Sequence, residues 1–413
     1  MLTLVIDSVC RAEGPRVLAG LIRRFSDFEL AEDALQDAFA KAIEVWPKQG
    51  LPANPAAWLT TVAQRRALDL LRRRRTGPLY TDELPDVAAP ESEELDTHPA
   101  DWSGVEDDRL RLVFTCCHPA LAQPAQIALA LRTLCGLSTR EIARAFLEPE
   151  ATTAQRLVRV KRKILEAHIP YEVPGREILA ERLQAVLGVI YLVFNEGYAA
   201  IDTPGLLRPD LCAEAIRLAR LVAELMPDEP EALGLLALML LQDSRRDTRV
   251  GADGAIVPLD EQDRALWNHG FIAQGLVQLD AALAMRRRGT YQLQAAIAAL
   301  HAKAPCAEDT DWQQISALYI GLLREQPNPV VELNAAVAHA MAEGLESGLE
   351  WIEQLAKREE LTEYYLLPAA KADLLRRLGR HTEARVAYRA ALALVKNPAE
   401  RKYLEKRLMK CND

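Results

Sequence analysis

The sequence predicts an all-α protein built from more than one helical unit. Ala, Leu, Arg and Glu are abundant, and aromatic residues make up only 6% of the chain, a composition that favours helix. The 413 residues exceed the size of one ordinary domain, so we expect two or three. Prolines and glycines divide the helical pattern into segments, and the charges are spread unevenly among those segments.

The pattern of the first segment, residues 5–75, is helical with predicted interruptions. The first interruption is Gly14-Pro15, because glycine and proline both disfavour a helix interior. The second is Ser26, which is followed three residues later by Glu29. This spacing is that of a capping box, so we expect Ser26 to cap a second helix.

Pro47 should end this second helix, because proline lacks the amide hydrogen that helix continuation requires. Residues 47–55 contain three prolines and a glycine, and we expect them to form a loop. A third helix is predicted from residue 56 to about residue 75.

The net charge of −9 hides two basic segments on either side of an acidic one. Residues 1–75 carry 12 basic and 9 acidic side chains, and residues 109–168 carry 10 basic and 4 acidic. Residues 76–108 carry 11 acidic side chains and no Lys or Arg. The local sign governs attraction to phosphate, because salt screens charges over about 10 Å. We therefore expect two cationic helical units joined by an acidic linker.

The second basic segment has the layout of a helix-turn-helix. Ser138 and Glu141 form a predicted capping box that opens a short helix, and a break follows at residues 147–150. Residues 152–155 form a second predicted capping box, which opens a helix over residues 152–166. Helix, short turn and helix together predict a unit that docks on duplex DNA.

In such motifs the N-terminal part of the second helix meets base edges in the major groove. Arg suits guanine and Gln suits adenine, while later cations hold phosphates. The alternative is a solvated basic helix with no role in binding DNA. The candidate DNA-binding residues of this helix are Thr153, Gln155, Arg156, Arg159, Arg162 and Lys163.

The first basic segment ends in residues 64–75, which hold six Arg and one Asp. Such a density of cations attracts phosphate and makes binding depend steeply on salt. Trp58 precedes this stretch on the same predicted helix, where its ring could stack on an unpaired base or pack in the core. The candidate DNA-binding residues of this segment are Asn54, Trp58, Arg65, Arg66, Arg72 and Arg73.

Residues 171–413 are predicted to be helical except around residues 245–260, where Gly251 and Gly254 indicate a turn or a small hairpin. The spacing of residues 378–398 is similar to the second half of a tetratricopeptide repeat. Ordinary antiparallel helices rich in Ala are the alternative. We find no Gly-rich phosphate loop, metal triad or Ser-His-Asp arrangement there, so we expect neither an enzyme nor a cofactor.

The seven cysteines are scattered, which favours a reducing cytoplasm over a disulfide framework. Cys116, Cys117 and His118 raise the question of metal binding, but adjacent cysteines do not easily serve one tetrahedral ion. We expect the two thiols to pack in the core. The longest apolar stretches fall short of the roughly 20 residues that a membrane span needs, so no membrane contact is expected.

Two sets of residues resemble sigma factors of the extracytoplasmic-function class. Glu32 to Phe39 (EDALQDAF), with Pro55 to Leu59 (PAAWL) and the Arg-rich stretch, is similar to sigma region two. Leu137 to Ala143 (LSTREIA), with the helix after it, is similar to sigma region four. Both occur in the family's order within residues 1–170. Phe194 to Tyr198 (FNEGY) resembles the subgroup with a long tetratricopeptide-like extension.

The resemblance implies four parts and two macromolecular partners, core RNA polymerase and promoter DNA. The parts are region two over residues 1–75, the acidic linker over 76–108, region four over 109–170 and a tetratricopeptide-like domain over 171–413. The last part would bind a protein or peptide ligand and regulate the others. The residues implied to bind the polymerase are Glu32, Asp33, Gln36, Asp37 and Lys41.

The resemblance also implies that each basic unit binds a different element of the promoter. The loop of residues 47–55 would capture a flipped base of the minus-ten element, and base flipping costs a few kcal/mol that a snug pocket must offset. Arg156 and Arg159 would read the minus-thirty-five element. Arg65 stands where the family usually has Asn, so the resemblance supports phosphate binding by that helix more than base reading.

Three classes of function fit the sequence. The first is a sigma factor whose two basic units hold the promoter. The second is a helix-turn-helix regulator whose repeat domain senses a ligand or peptide, although a simple regulator has no use for a strand-melting unit. The third is an enzyme in the C-terminal part, for which the sequence offers no catalytic arrangement.

Overall fold

The computed structural model describes residues 2–76, 103–146, 148–199 and 209–411. They form 18 α-helices, and the one β interaction among them is an isolated antiparallel bridge between Val250 and Ile256. The predicted all-α class is therefore confirmed. No helix in these ranges is both long and apolar enough to cross a bilayer. The chain divides into two compact units, Met1–Ile190 and Tyr191–Asp413.

Three long helices open the first unit: α1 (Leu2–Phe25), α2 (Phe28–Gln49) and α3 (Pro55–Thr76). Each packs on the other two. Their shared core is apolar and fully buried, because the helices place apolar side chains three and four residues apart. The largest buried side chains include Leu21, Ile22, Leu30, Trp46 and Leu59.

Helix α1 runs unbroken through Gly14-Pro15, so the break predicted there is wrong. Pro15 removes one backbone hydrogen bond, but the helix is held by its packing on α2 and α3. Gly14 permits that packing, since a Cβ at this position would lie 2.8 Å from Cζ of Phe39. Tertiary contact here outweighs the local preference of the two residues.

Both predicted ends of α2 are also shifted. Asp27, rather than Ser26, caps the helix by accepting a hydrogen bond from the backbone N–H of Leu30 at 3.0 Å. The helix continues past Pro47 to Gln49 and ends at Gly50, whose φ of 87° suits glycine. The connection to α3 is therefore shorter than the predicted loop of residues 47–55.

Helices α4 (Ser103–Cys116), α5 (Gln123–Thr133), α6 (Thr139–Ala145) and α7 (Glu150–Glu166) follow, and α5 and α6 both pack on α7. The predicted capping box of α6 is confirmed: the backbone N–H of Ser138 donates to Glu141 at 2.7 Å, and the N–H of Glu141 donates to the hydroxyl of Ser138 at 3.2 Å. The second predicted capping box is wrong, because α7 begins at Glu150 without a side-chain cap.

The predicted acidic linker, residues 76–108, lies mostly outside the described residues. Helix α8 (Arg176–Ala199) begins in the first unit and crosses the division at Ile190. Arg182 of α8 donates to the carbonyl of Phe114 in α4 at 2.8 Å. The first unit therefore extends further along the chain than the predicted boundary at residue 170.

The second unit is a succession of helices in which each packs on its neighbour in the chain. Residues 245–260 contain the predicted turn, where Gly254 has a φ of 75° and the Val250–Ile256 bridge closes a small loop. Its helices are α9 (Pro209–Leu225), α10 (Pro230–Asp243), α11 (His269–Ala284), α12 (Thr290–Lys303), α13 (Trp312–Glu325), α14 (Pro329–Glu343), α15 (Leu345–Leu355), α16 (Leu366–Arg377), α17 (His381–Leu394) and α18 (Pro398–Lys410).

Candidate nucleic-acid and polymerase interface

Helix α7 separates an apolar face from a polar one. Leu157, Val160 and Ile164 are buried against α5 and α6. The opposite face is in solvent, so its side chains are available to a polyanion. The exposed candidate DNA-binding residues of α7 are Gln155, Arg159, Arg162 and Lys163.

Two further candidates on α7 are engaged inside the protein. Thr153 is fully buried, and its hydroxyl donates to the carboxylate of Glu148. Arg156 makes a bidentate pair with the same carboxylate at 2.5 and 2.7 Å, with its guanidinium over the ring of Phe146. Thr153 therefore faces away from any DNA that lies on the exposed face of α7.

Glu148, to which no sequence motif pointed, organises the turn between α6 and α7. Burial opposes its negative charge, but the hydrogen bonds from Arg156 and Thr153 outweigh burial and hold the pKa of Glu148 below its ordinary value. The three partners lie up to eight residues apart across a non-helical turn. No local spacing rule would have paired them.

Helix α3 presents the second basic surface. Arg65, Arg72 and Arg73 are exposed, and Arg72 lies 3.6 Å from the carboxylate of Asp69 on the same helix. Arg66 is turned towards α2, where it pairs with Asp37 at 2.5 Å. That pair joins a candidate DNA-binding residue to a candidate polymerase-binding residue.

The remaining two candidate DNA-binding residues lie at the start of α3. Asn54 caps the helix, since its side-chain oxygen accepts the backbone N–H of Ala57 at 3.0 Å. Trp58 is half-buried and meets the fully buried Trp46 edge to face, with ring centroids 5.3 Å apart. The ring of Trp58 is thus held by the core on one side and reachable on the other.

The polymerase-binding candidates on α2 differ in their surroundings. Asp33 and Gln36 are exposed, and Lys41 pairs with Glu44 one turn further along the helix. Glu32 instead forms an ion pair with Lys161 of α7 at 2.5 Å, in which the two side chains are only 11% and 13% exposed. One of the candidate polymerase contacts is therefore covered by α7.

A second polar contact joins the same two parts of the first unit. Asp108 of α4 is 2% exposed and pairs with Arg23 of α1 and with Arg111. The hydroxyl of Tyr171 lies 3.0 Å from the carbonyl oxygens of Ala19 and Asp108. Burial and the charge of Asp108 raise the pKa of Tyr171, so its hydroxyl keeps the proton it donates.

The two adjacent cysteines are buried, which confirms that they pack in the core. The thiol of Cys116 lies 3.1 Å from the hydroxyl of Thr133, and burial raises the pKa of Cys116 to about 12. Burial also raises the pKa of Cys117 and lowers that of His118. Across the part of the chain that the structure describes, no three His, Cys, Asp or Glu side chains are grouped to hold a metal ion.

Two segments of the chain match known protein families. Residues 10–76 match sigma-70 region 2, and residues 182–283 match a family of unknown function, DUF6596. The uncharacterized protein R00370 of Rhizobium meliloti (strain 1021) is 46% identical over 405 residues, which cover 98% of this chain and 95% of that protein.

The match over the N-terminal helices supports a sigma-70 family factor with a role in transcription initiation by RNA polymerase. The chain belongs to the family of the Rhizobium meliloti protein, which shares its sequence almost from end to end. The region 2 match also supports an interaction with core RNA polymerase and promoter DNA. The three helices α1 to α3 are thus the sigma-70 region 2 domain, over residues 10–76.

Proposed function

We propose that this chain is a sigma factor of the extracytoplasmic-function class that brings RNA polymerase to promoters through two separate DNA contacts. The observation that carries the proposal is that one folded unit leaves two arginine-bearing helix faces in solvent. One face belongs to the region 2 helix α3 and the other to the helix-turn-helix helix α7. A pair of such faces can hold two elements of one promoter.

In this proposal, α3 and residues 47–54 before it take the minus-ten element. Arg65, Arg72 and Arg73 would hold backbone phosphates, because their side chains are exposed. Trp58 would stack on an unpaired base from a position fixed by Trp46. Asn54 contributes chiefly by capping α3, which orients the residues that follow.

Helix α7 would take the minus-thirty-five element. Gln155 and Arg159 lie in its N-terminal half and are exposed, which suits contact with base edges. Arg162 and Lys163 lie further along and would hold phosphates. Arg156 remains a candidate base reader only if it exchanges Glu148 for DNA; Thr153 is left out because it is buried.

Core polymerase would bind the exposed surface of α2 that includes Asp33 and Gln36. Glu32 lies on the same helix but is paired with Lys161, so the helix-turn-helix part must move aside before the whole surface can be used. The second unit would modulate this step. Its succession of paired helices supports the idea of a tetratricopeptide-like regulatory domain.

The test is transcription in vitro from a library of promoters with core polymerase, with and without the full chain. We expect specific start sites only when the chain is present, and weak binding of duplex DNA by the chain alone. A chain that binds duplex operators tightly by itself and adds no start sites to core polymerase would instead be a helix-turn-helix regulator.

A further inference from the structure

The second unit encloses a cavity of about 300 Å³ that the proposed transcription function does not use. Helices α10, α12, α13 and α14 contribute to its wall, together with the segment between α10 and α11. This volume lies at the lower end of the range of ligand-binding pockets, about 300–1,000 Å³, which suits a small molecule. Much of the wall is apolar, including Leu238, Leu241, Trp267, Ile297, Leu322 and Val331.

The polar part of the wall is positively charged. Arg245 lines the cavity with the amides of Gln242, Gln294 and Asn334. No Asp or Glu lines it. The phenol of Tyr319 is also in the wall, and burial raises its pKa to about 12, so it adds no negative charge. The guanidinium of Arg245 is therefore the only formal charge among the lining residues that the structure describes.

Arg245 differs from the other arginines of the same segment. Arg246 forms an ion pair with Asp243, and Arg249 donates to the carbonyl of Tyr198. Arg245 is half-buried and forms no ion pair with any Asp or Glu among the described residues, and the ring centroid of Tyr198 lies 6.0 Å from its guanidinium carbon. A partly desolvated cation without a counter-ion is costly, so an anion entering the cavity would gain a charge-assisted hydrogen bond there.

His301 is, after Arg245, a second polar side chain in the cavity wall that a ligand could contact. The Nδ1 atom of its ring is buried and has no hydrogen-bond partner among the described residues. Burial and the nearby charges of Arg245 and Arg264 lower the pKa of His301 to about 4, which keeps its ring neutral at physiological pH. A neutral ring offers one donor and one acceptor but no second positive charge.

We propose that this cavity is a binding site for a small organic acid whose carboxylate pairs with Arg245 and whose apolar body lies against the leucine and tryptophan side chains. A single guanidinium matches a monoanionic carboxylate, whereas a phosphate would carry charge that the wall leaves unbalanced. The amides and His301 would orient the ligand. The inference goes beyond the proposed transcription function and does not depend on it.

Calorimetric titration of the full chain tests the site with benzoate, its neutral isostere benzamide, and phenyl phosphate. We expect benzoate to bind at least tenfold more tightly than either of the other two. An Arg245→Met variant should bind benzoate at least tenfold more weakly than the wild type. Arg288→Met, which removes an exposed arginine between α11 and α12, is the matched control and should bind as the wild type does.

Three results would overturn the proposal: benzoate that does not bind at millimolar concentration, benzamide that binds as tightly as benzoate, or unchanged benzoate binding by Arg245→Met. Tighter binding of phenyl phosphate would overturn the assignment to a carboxylate. Thermal unfolding of both variants checks their folding. Should Arg245→Met fail to fold, the comparison of benzoate with benzamide on the wild-type chain still tests whether the cavity selects a carboxylate.

Discussion

Single side chains decide which part of α7 can meet DNA. Arg159 and Arg156 lie on the same helix, yet Arg159 is in solvent while Arg156 is held by both oxygens of Glu148. A guanidinium held in this way must give up one bidentate pair to form another. Arg159 is therefore the better candidate for direct reading of a base.

Replacing Arg159 by Ala should cost about 1–3 kcal/mol of binding free energy at a cognate upstream element, the range of one bidentate base contact. The measurement is the affinity of the polymerase complex for promoter DNA with matched and mismatched upstream elements. Lys163→Ala, further along the same exposed face, is the control and should weaken binding by a similar factor on every sequence. An equal loss on all sequences for Arg159→Ala would assign it to phosphate.

Glu148 should stabilise the folded protein at neutral pH and lose that effect in acid. Its pKa is lower in the folded protein than its ordinary value of 4.5, so the stability it contributes is present above that value. That contribution is lost as the pH falls through the lower, folded value. Glu148→Gln should therefore be less stable than the wild type at neutral pH, with a difference that shrinks in acid.

Chemical unfolding at several pH values between about 7 and 3 measures this effect. Glu150→Gln, which removes an exposed carboxylate from the first turn of the same helix, is the control. It should retain the wild-type dependence on pH. A Glu148→Gln variant that stays destabilised by the same amount at low pH would contradict the assignment.

At the scale of elements, sequence rules worked where the deciding contacts are local. The capping box of Ser138 and Glu141 forms as predicted, because both partners lie within one helical turn. The rules failed at Pro15 and Pro47, where packing among α1, α2 and α3 holds helix that the local sequence disfavours. The second capping box failed because α7 begins two residues earlier than Thr152.

The two capping predictions can be separated by experiment. Ser138→Ala should lower the free energy of unfolding by about 1 kcal/mol, because it removes the acceptor for the N–H of Glu141. Thr152→Ala should change it by less than about 0.5 kcal/mol, because Thr152 is an exposed residue inside α7. Urea titration of both variants gives the comparison. Equal losses would mean that Thr152 caps the helix after all.

The candidate site, like the helix ends, could be predicted from the sequence only where local contacts determine it. Exposed basic residues such as Arg65 and Arg159 follow from helical periodicity, because a helix with one apolar stripe leaves the opposite face in solvent. The pairing of Lys161 with Glu32 joins residues 129 positions apart, and only the tertiary structure can bring them together. Charge counts place cations and anions in segments but cannot choose partners between segments.

The division of the whole molecule constrains how the C-terminal part can be studied. Helix α8 crosses the boundary at Ile190, and its Arg182 bonds to the carbonyl of Phe114 in the first unit. Cutting the chain after residue 170 would remove that contact as well as the second unit. A loss of activity could then come from the missing Arg182 contact or from the missing second unit. Substitutions within the second unit therefore test its role more directly.

The ion pair of Glu32 and Lys161 should limit access of core polymerase to α2. Replacing Lys161 by Met leaves the carboxylate of Glu32 buried, with Oε1 already lacking a hydrogen-bond partner within the described ranges, and so favours separation of α7 from α2. If separation is needed for binding, Lys161→Met should raise the affinity for core polymerase by about tenfold, equivalent to about 1.4 kcal/mol. Titration without DNA measures this directly.

Arg162→Met provides the matched control, since Arg162 follows Lys161 on α7 but is exposed and pairs with Glu166 on its own helix. It should leave polymerase affinity unchanged. Lower affinity for Lys161→Met would mean that the Lys161 contact orders the polymerase-binding surface instead of covering it. With unchanged affinity, the polymerase would reach α2 while α7 stays in place, and the two candidate DNA-binding helices, α3 and α7, would have to engage the promoter from their present arrangement.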